Sequence, residues 1–126
     1  MNPIELVRGL PNWDWSEHCR QEIALTGEQL VEQSDFVWRI GNFALIGFMH
    51  TSLTSPPWMW FLLTKGTTIS HLIDLRRLSV RIPVGTLTAV DASFSTGLKF
   101  AKAYGFEEVG KECEYFGHVY RLMRKV

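Results

Sequence analysis

The sequence has little of several features that mark particular classes of protein. Only two of its 126 residues are cysteines, Cys19 and Cys113, whereas small disulfide-stapled proteins carry four or more. Lysine plus arginine (13) equals aspartate plus glutamate (13), so no net charge attracts the chain to nucleic acid or anionic lipid. Apolar runs such as 58–63 are far shorter than the roughly 18 residues of a membrane span. We therefore expect no disulfide scaffold, no nucleic-acid partner and no membrane span.

Signals for export and for metal binding are also missing. The first residues, Met1 to Glu5, lack the basic and apolar regions of a secretion signal. No two histidines lie three or four residues apart, and neither cysteine belongs to a Cys-x-x-Cys pair, so we expect no metal site. Together with the scarcity of cysteine, this predicts an uncleaved protein of the reducing cytoplasm.

What the sequence does contain is typical of one globular domain spanning 1–126. Hydrophobic residues make up 46% and charged residues 21%, which argues against disorder. Hydrophobic periodicity and turn residues predict the order β-α-α-β-β-β-α-β-α-β-β. In chain order the elements are a strand over 4–8, helices over 14–26 and 28–33, strands over 36–40, 43–49 and 58–63, a helix over 69–82, a strand over 86–90, a helix from Ser93 or Ser95 to Tyr104, and strands over 106–109 and 115–123.

This order resembles the fold of the GNAT acetyltransferases. The local resemblance lies near the end, where Thr88-Ala89-Val90-Asp91-Ala92 and 98–110 are similar to the family's strand, helix and Gly-Phe corner, here Gly105-Phe106. Tyr120-Arg121-Leu122 fits the family's last strand. The resemblance implies an α+β fold of three layers: a mixed, mainly antiparallel sheet of six to seven strands with helices on both faces.

The resemblance also implies a seat for acetyl-CoA after the fourth strand. The family holds the pyrophosphate there with an Arg/Gln-x-x-Gly-x-Gly/Ala loop at a helix N-terminus. The corresponding cofactor-binding candidates are Leu63, Lys65, Gly66, Thr67 and Thr68, with one glycine where the family has two. The strands over 58–63 and 86–90 correspond to those that accept pantetheine through their backbone. The alternative interpretation of this stretch is an ordinary strand-to-helix turn capped by a threonine.

The family's proton-handling groups are absent from their expected positions. A tyrosine four residues before the corner glycine is replaced by Ala101, and an asparagine eleven residues before it by Phe94. His50, beside the 51–57 loop, is a candidate base, and Arg76, Arg77 and Arg81 could bind an anion; solvated surface residues are the alternative for each. No catalytic residue is assigned.

Within the family, the chain is most similar in length and texture to small GNAT-like proteins of short-tailed phages, including internal virion proteins. The leading hypothesis is a phage protein that acts by binding protein partners, such as virion proteins, in the host cytoplasm or virion interior. Trp13, Trp15, Trp58 and Phe116 are the candidate contact aromatics. The alternatives are an active acyl-CoA-dependent N-acetyltransferase and a phage-encoded inhibitor of a host protein.

Overall fold

The structure is a computed structural model that describes residues 4–7, 9–50, 55–65, 79–115 and 117–126, with only the backbone at 4–7, 27 and 28. Contacts divide the chain into two compact units, Met1–Thr67 and Thr68–Val126. The single-domain organisation stays a prediction. Each unit is described by itself.

The first unit is built on a four-stranded antiparallel sheet. Its strands are β1 (Ile4–Val7), β2 (Phe36–Ile40), β3 (Ala44–Met49) and β4 (Trp58–Leu63), and they are adjacent in chain order. Gly41 takes φ 53° in the turn between β2 and β3, as an Asn-flanked hairpin glycine should. β2 and β4 have the bounds that the sequence predicts, because aromatic and β-branched runs identify strands well.

One helix, α1 (Glu17–Gln33), replaces the two short helices expected over 14–26 and 28–33. Ser16 caps its start, since the Ser16 hydroxyl accepts a bond from the Cys19 amide at 3.4 Å. The prediction of a break at Gly27 was wrong. Glycine costs only about 1 kcal/mol relative to alanine inside a helix. That cost is small beside the anchoring of both ends, by buried Cys19 and by Ser34, whose hydroxyl accepts a bond from Trp60.

Side chains of the sheet alternate between its two faces and bury most of their apolar atoms. Ala44, Ile46 and Phe48 of β3 are buried on one face, next to Met59 and Phe61 of β4. On the opposite face Gly47 lies under the indole of Trp60, its register partner.

The second unit contains β5 (Leu87–Asp91), α2 (Ser95–Ala103), β6 (Phe106–Tyr115) and β7 (His118–Lys125), with β7 paired antiparallel to both β5 and β6. Gly105 takes φ 96° and ends α2, as the Gly-Phe corner predicts. β6 continues well past Val109, the expected end, because a bulge between Glu108 and Glu112 lets the strand bend and resume pairing.

The core of the second unit lies along one side of α2. Gly97, Phe100 and Tyr104, the line that helical spacing predicts, are buried. The ring of Phe94 lies against Gly97, so a β-carbon at that position would collide with it. The helix expected over 69–82 falls mostly on residues that the structure does not describe.

Candidate functional site

The candidate cofactor seat begins at the last residue of β4. Two of the five residues that the sequence predicts for this seat are described. Leu63 is buried at the end of the strand, and Lys65 is exposed two residues later. Gly66, Thr67 and Thr68 lie outside the described residues.

The direction of the backbone at this strand end follows from one hydrogen bond. The Thr64 amide donates to the Phe43 carbonyl, on the β3 side, at 2.9 Å. Backbone groups alternate along a strand, so the groups of Leu63 and Lys65 point to the other edge. Leu63 ends a strand that the resemblance assigns to pantetheine, and Lys65 belongs to the loop that it assigns to the pyrophosphate.

The chain's own residues 14–16 occupy that edge. The Ser16 amide donates to the Leu63 carbonyl at 2.9 Å, and the Lys65 amide donates to the Asp14 carbonyl at 2.9 Å. Trp15 between them forms an antiparallel bridge with Thr64 and is buried. Residues 14–16 therefore act as a short additional strand on β4; we call them the N-terminal strap.

The remaining amide of the strand end is also engaged. The Leu63 N–H donates to the sulfur of Cys19 at 3.3 Å. Burial raises the pKa of the Cys19 thiol above its usual value, and the Leu63 and Ser16 bonds only partly oppose that rise. Cys19 is thus a neutral thiol that fills the space beside Leu63.

The ammonium group of Lys65 lies close to a carboxylate of the N-terminal strap. Its Nζ lies 3.7 Å from the Asp14 carboxylate, which is also 3.3 Å from Arg20. The pairs are exposed and contribute little to stability. Lys65 is nevertheless the one basic residue among the predicted cofactor-binding residues. The neighbouring carboxylate of Asp14 weakens the attraction of Lys65 for a phosphate.

Helix α2 supplies no proton-handling group at the two family positions. Ala101 is buried and Phe94 packs on Gly97. Tyr104 is fully buried, and burial raises the pKa of its hydroxyl far above the usual value. Its phenol belongs to the core of the second unit and is not presented to solvent.

Each described histidine lies beside a carboxylate. His18 is 2.6 Å from Glu22 within α1, and the candidate base His50 is 2.5 Å from Asp35 at the surface. The third pair, His118 with Asp91, was missed by sequence reasoning because its members come from β7 and β5. Of the candidate anion-binding arginines, Arg81 is exposed, and Arg76 and Arg77 lie outside the described residues.

The described residues indicate neither metal binding nor a membrane-spanning helix. They contain no group of three or more His, Cys, Asp or Glu side chains that could hold a metal ion. None of their helices is long and apolar enough to cross a membrane.

Comparison with known proteins identifies the fold. No protein-family model and no curated protein sequence matches the chain. Among solved structures, an IAA acetyltransferase from Bacillus cereus matches with a TM-score of 0.63 at 10% identity, covering 97% of each chain. A microcin C7 self-immunity acetyltransferase, solved with acetyl-CoA and AMP, matches with a TM-score of 0.63 at 10% identity over 100% of this chain and 93% of its own. The fold is that of the GNAT acetyltransferases.

The GNAT fold class that the sequence predicts is therefore confirmed: α+β, with mainly antiparallel strands and helices.

The share of each neighbour that this chain covers differs between structures. A GnaT-family structure from Bordetella pertussis matches with a TM-score of 0.53 at 11% identity, and this chain spans 64% of its length. Some GNAT neighbours hold acetyl-CoA in their structures. In this chain, the Leu63 amide and carbonyl and the Lys65 amide at the end of β4 are already hydrogen-bonded to residues 14–19.

Proposed function

We propose that this acetyltransferase-like protein is of phage lineage and acts by binding another protein, as an internal or assembly component of the virion, without transferring an acetyl group. The observation that carries the proposal is the N-terminal strap. The Leu63 amide, the Leu63 carbonyl and the Lys65 amide, which share the outward edge, are all hydrogen-bonded to residues 14–19.

The energetics favour a closed strap over an open seat. To receive pantetheine, the strand end would lose two backbone hydrogen bonds, and each buried group left without a partner costs about 1–3 kcal/mol. It would also expose Trp15, whose side chain is buried against this end of the sheet. A cofactor that merely replaced these bonds would gain little net free energy, because both states are hydrogen-bonded.

Two of the four aromatic residues proposed for partner contact are described and partly exposed. Trp13 and Trp58 are half-buried, so each keeps ring surface for a partner. Trp15 is buried in the strap, and Phe116 lies outside the described residues. Trp13 is further held 5.4 Å from Trp15 and 6.0 Å from the Arg39 guanidinium, which makes it a rigid aromatic surface of the kind that protein interfaces use.

Calorimetric titration with acetyl-CoA, run beside an amide exchange measurement, tests the loss of the seat. We expect no saturable heat, and slow exchange of the Lys65 amide that acetyl-CoA does not change. A GNAT enzyme already solved with acetyl-CoA serves as the positive control. Saturable micromolar binding together with a change at Lys65 would show that the strap opens and would overturn the proposal.

The virion assignment needs a separate experiment. Mass spectrometry of purified particles from a host producing this protein should detect it after stringent washing. A non-structural protein expressed to the same level serves as the contamination control. Absence from particles would reject the virion role and leave protein binding to be tested by other means.

An acyl-CoA-dependent N-acetyltransferase is the second candidate, because the acetyl-CoA-bound microcin immunity enzyme matches the chain over its whole length. A fold hosts many functions, so this favours the activity less than a matching site would. The same titration decides between the two candidates.

A further inference from the structure

The N-terminal strap is joined to the sheet of the first unit by very few pairings. It contacts β4 through one isolated bridge, Trp15 to Thr64, whereas β3 and β4 are paired at every residue from Ala44 to Met49. Two backbone hydrogen bonds of 2.9 Å, one on each side of the bridge, complete the pairing. A segment held in this way can separate from the sheet while the rest of the unit stays folded.

The side chains of the strap add one strong anchor and two weak ones. The indole of Trp15 is the strong anchor, since the residue is only 7% exposed. The Ser16 hydroxyl accepts a long bond of 3.4 Å from the Cys19 amide at the start of α1. Asp14 is 73% exposed, so its ion pairs with Lys65 and with the arginine at position 20 contribute little. Closure therefore depends mainly on Trp15 and on the two backbone bonds.

The strap covers a pair of backbone groups that suit an extended ligand. The Leu63 carbonyl and the Lys65 amide are an acceptor and a donor on the same edge of the strand end, and each is bonded to the strap. Such an edge pairs with any extended chain that carries amide groups, as the strap itself does. The amide-bearing arm of acetyl-CoA, which some GNAT neighbours hold, is a chain of this kind.

We propose that the N-terminal strap is an autoinhibitory segment, which occupies the Leu63 carbonyl and the Lys65 amide in place of the amide-bearing arm of acetyl-CoA and releases them when it opens. This inference rests on the proposed function, because it names what keeps the seat shut in the folded protein. The strap and the groups that it covers all belong to the first unit.

A closed strap lowers the affinity for acetyl-CoA without removing the seat. A ligand that binds only the open form has its apparent affinity reduced by the fraction of molecules that are open. With about one molecule in a thousand open, a micromolar Kd becomes an apparent millimolar one. The wild-type protein is then silent in a titration, and a variant that opens the strap should bind.

Position 16 allows one strap bond to be removed by itself. The backbone of Ser16 has φ −58° and ψ 154°, which proline adopts without strain, and the preceding Trp15 lies in a β-bridge, as a residue before proline prefers. Ser16→Pro removes the amide that donates to Leu63 and also the capping hydroxyl. Ser16→Ala removes the hydroxyl and keeps the amide. The comparison of the two variants therefore isolates the backbone bond.

Amide exchange and acetyl-CoA titration of both variants test the inference. We expect the Lys65 amide to exchange at least tenfold faster in Ser16→Pro than in Ser16→Ala. Acetyl-CoA should give saturable heat with Ser16→Pro and bind at least tenfold more weakly to Ser16→Ala. Unchanged exchange at Lys65 would show that the bond does not hold the strap, and faster exchange without saturable binding would show that the strap does not inhibit. Either result would overturn the inference and leave the proposed function standing.

Native-state amide exchange of the wild-type protein gives a test that needs no variant to fold. The Ser16 and Lys65 amides should open together, with a smaller free energy than the amides of β3 and with little dependence on low concentrations of urea. Exchange of both amides only through global unfolding would overturn the inference. Saturable micromolar binding of acetyl-CoA by the wild-type protein would instead reject the proposed function, so the two failures are distinguishable.

Discussion

Cys19 and Cys113 differ in the properties that control the reactivity of a thiol. Cys19 is fully buried behind the N-terminal strap, and burial raises its pKa, whereas Cys113 is exposed on β6. Only a thiolate that solvent can reach reacts with alkylating or disulfide reagents. In native protein we therefore expect one thiol to react quickly and the second only after unfolding, as counted with a chromogenic disulfide.

Single substitutions assign the two reactions. Cys113→Ser should leave almost no fast reaction, and Cys19→Ser should retain it. Because Cys19 accepts the Leu63 amide bond, its labelling rate also reports opening of the strap. Fast labelling of native Cys113→Ser would mean that the strap is open for much of the time, contrary to the proposed function.

Close packing between β3 and β4 requires a glycine at position 47. A β-carbon on Gly47 would meet the indole of Trp60, whose Nε1 donates to the Ser34 hydroxyl at 2.7 Å. Gly47→Ala must therefore displace the indole from the C-cap of α1. We expect a loss of about 1–3 kcal/mol in the free energy of unfolding, measured by urea denaturation.

A double-mutant cycle isolates the cause of that loss. In a Trp60→Phe background, where the smaller ring leaves space, Gly47→Ala should cost clearly less. Gly9→Ala serves as the control, because no atom lies within 4 Å of its β-carbon position. Equal costs in both backgrounds would show that the indole is not the obstacle.

The sequence predicts elements well where local signals and packing agree. β4 has the expected bounds because its apolar run is only six residues long, rich in aromatic residues and preceded by prolines, which favours a strand over a helix. Gly105 ends α2 because few other residues adopt its φ of 96°. α1 was predicted as two separate helices, and β6 was predicted too short. Their continuity depends on anchors and on a bulge that involve other parts of the chain, and no local pattern encodes these.

The candidate site was harder to predict for a related reason. Leu63 and Lys65 were identified from a family pattern, but that pattern says nothing of what else approaches their backbone groups. The N-terminal strap pairs with the end of β4, and Asp91 lies beside His118. Both contacts join residues that are distant in sequence. Such pairs follow from strand register, which single-sequence periodicity does not determine.

At the scale of the whole molecule, each unit buries a thiol or a phenol whose ionisation burial opposes. Burial raises the pKa of Cys19 in the first unit and of Tyr104 in the second. Both groups are neutral when folded, and both ionise more readily once unfolding exposes them to water. Their burial therefore does not lower the free energy of unfolding through ionisation at neutral pH, but it does so in alkali.

The sign of the effect follows from proton linkage. Above the usual pKa of tyrosine, about 10, the unfolded chain has released the Tyr104 proton and the folded chain still holds it. The free energy of unfolding should then fall by about 1.4 kcal/mol per pH unit for this group, with Cys19 adding a similar decline from about pH 9. Urea denaturation between pH 8 and about pH 11 measures the slope.

Tyr104→Phe tests the assignment. The variant loses the hydroxyl, so its stability at neutral pH can differ from that of the wild-type protein, but its alkaline slope should be shallower by about one proton. Tyr115→Phe is the matched control, because it removes the same hydroxyl from an exposed tyrosine outside the core. Parallel slopes for the wild-type protein and Tyr104→Phe would mean that the phenol reaches solvent before global unfolding. In that case the second unit opens locally around α2.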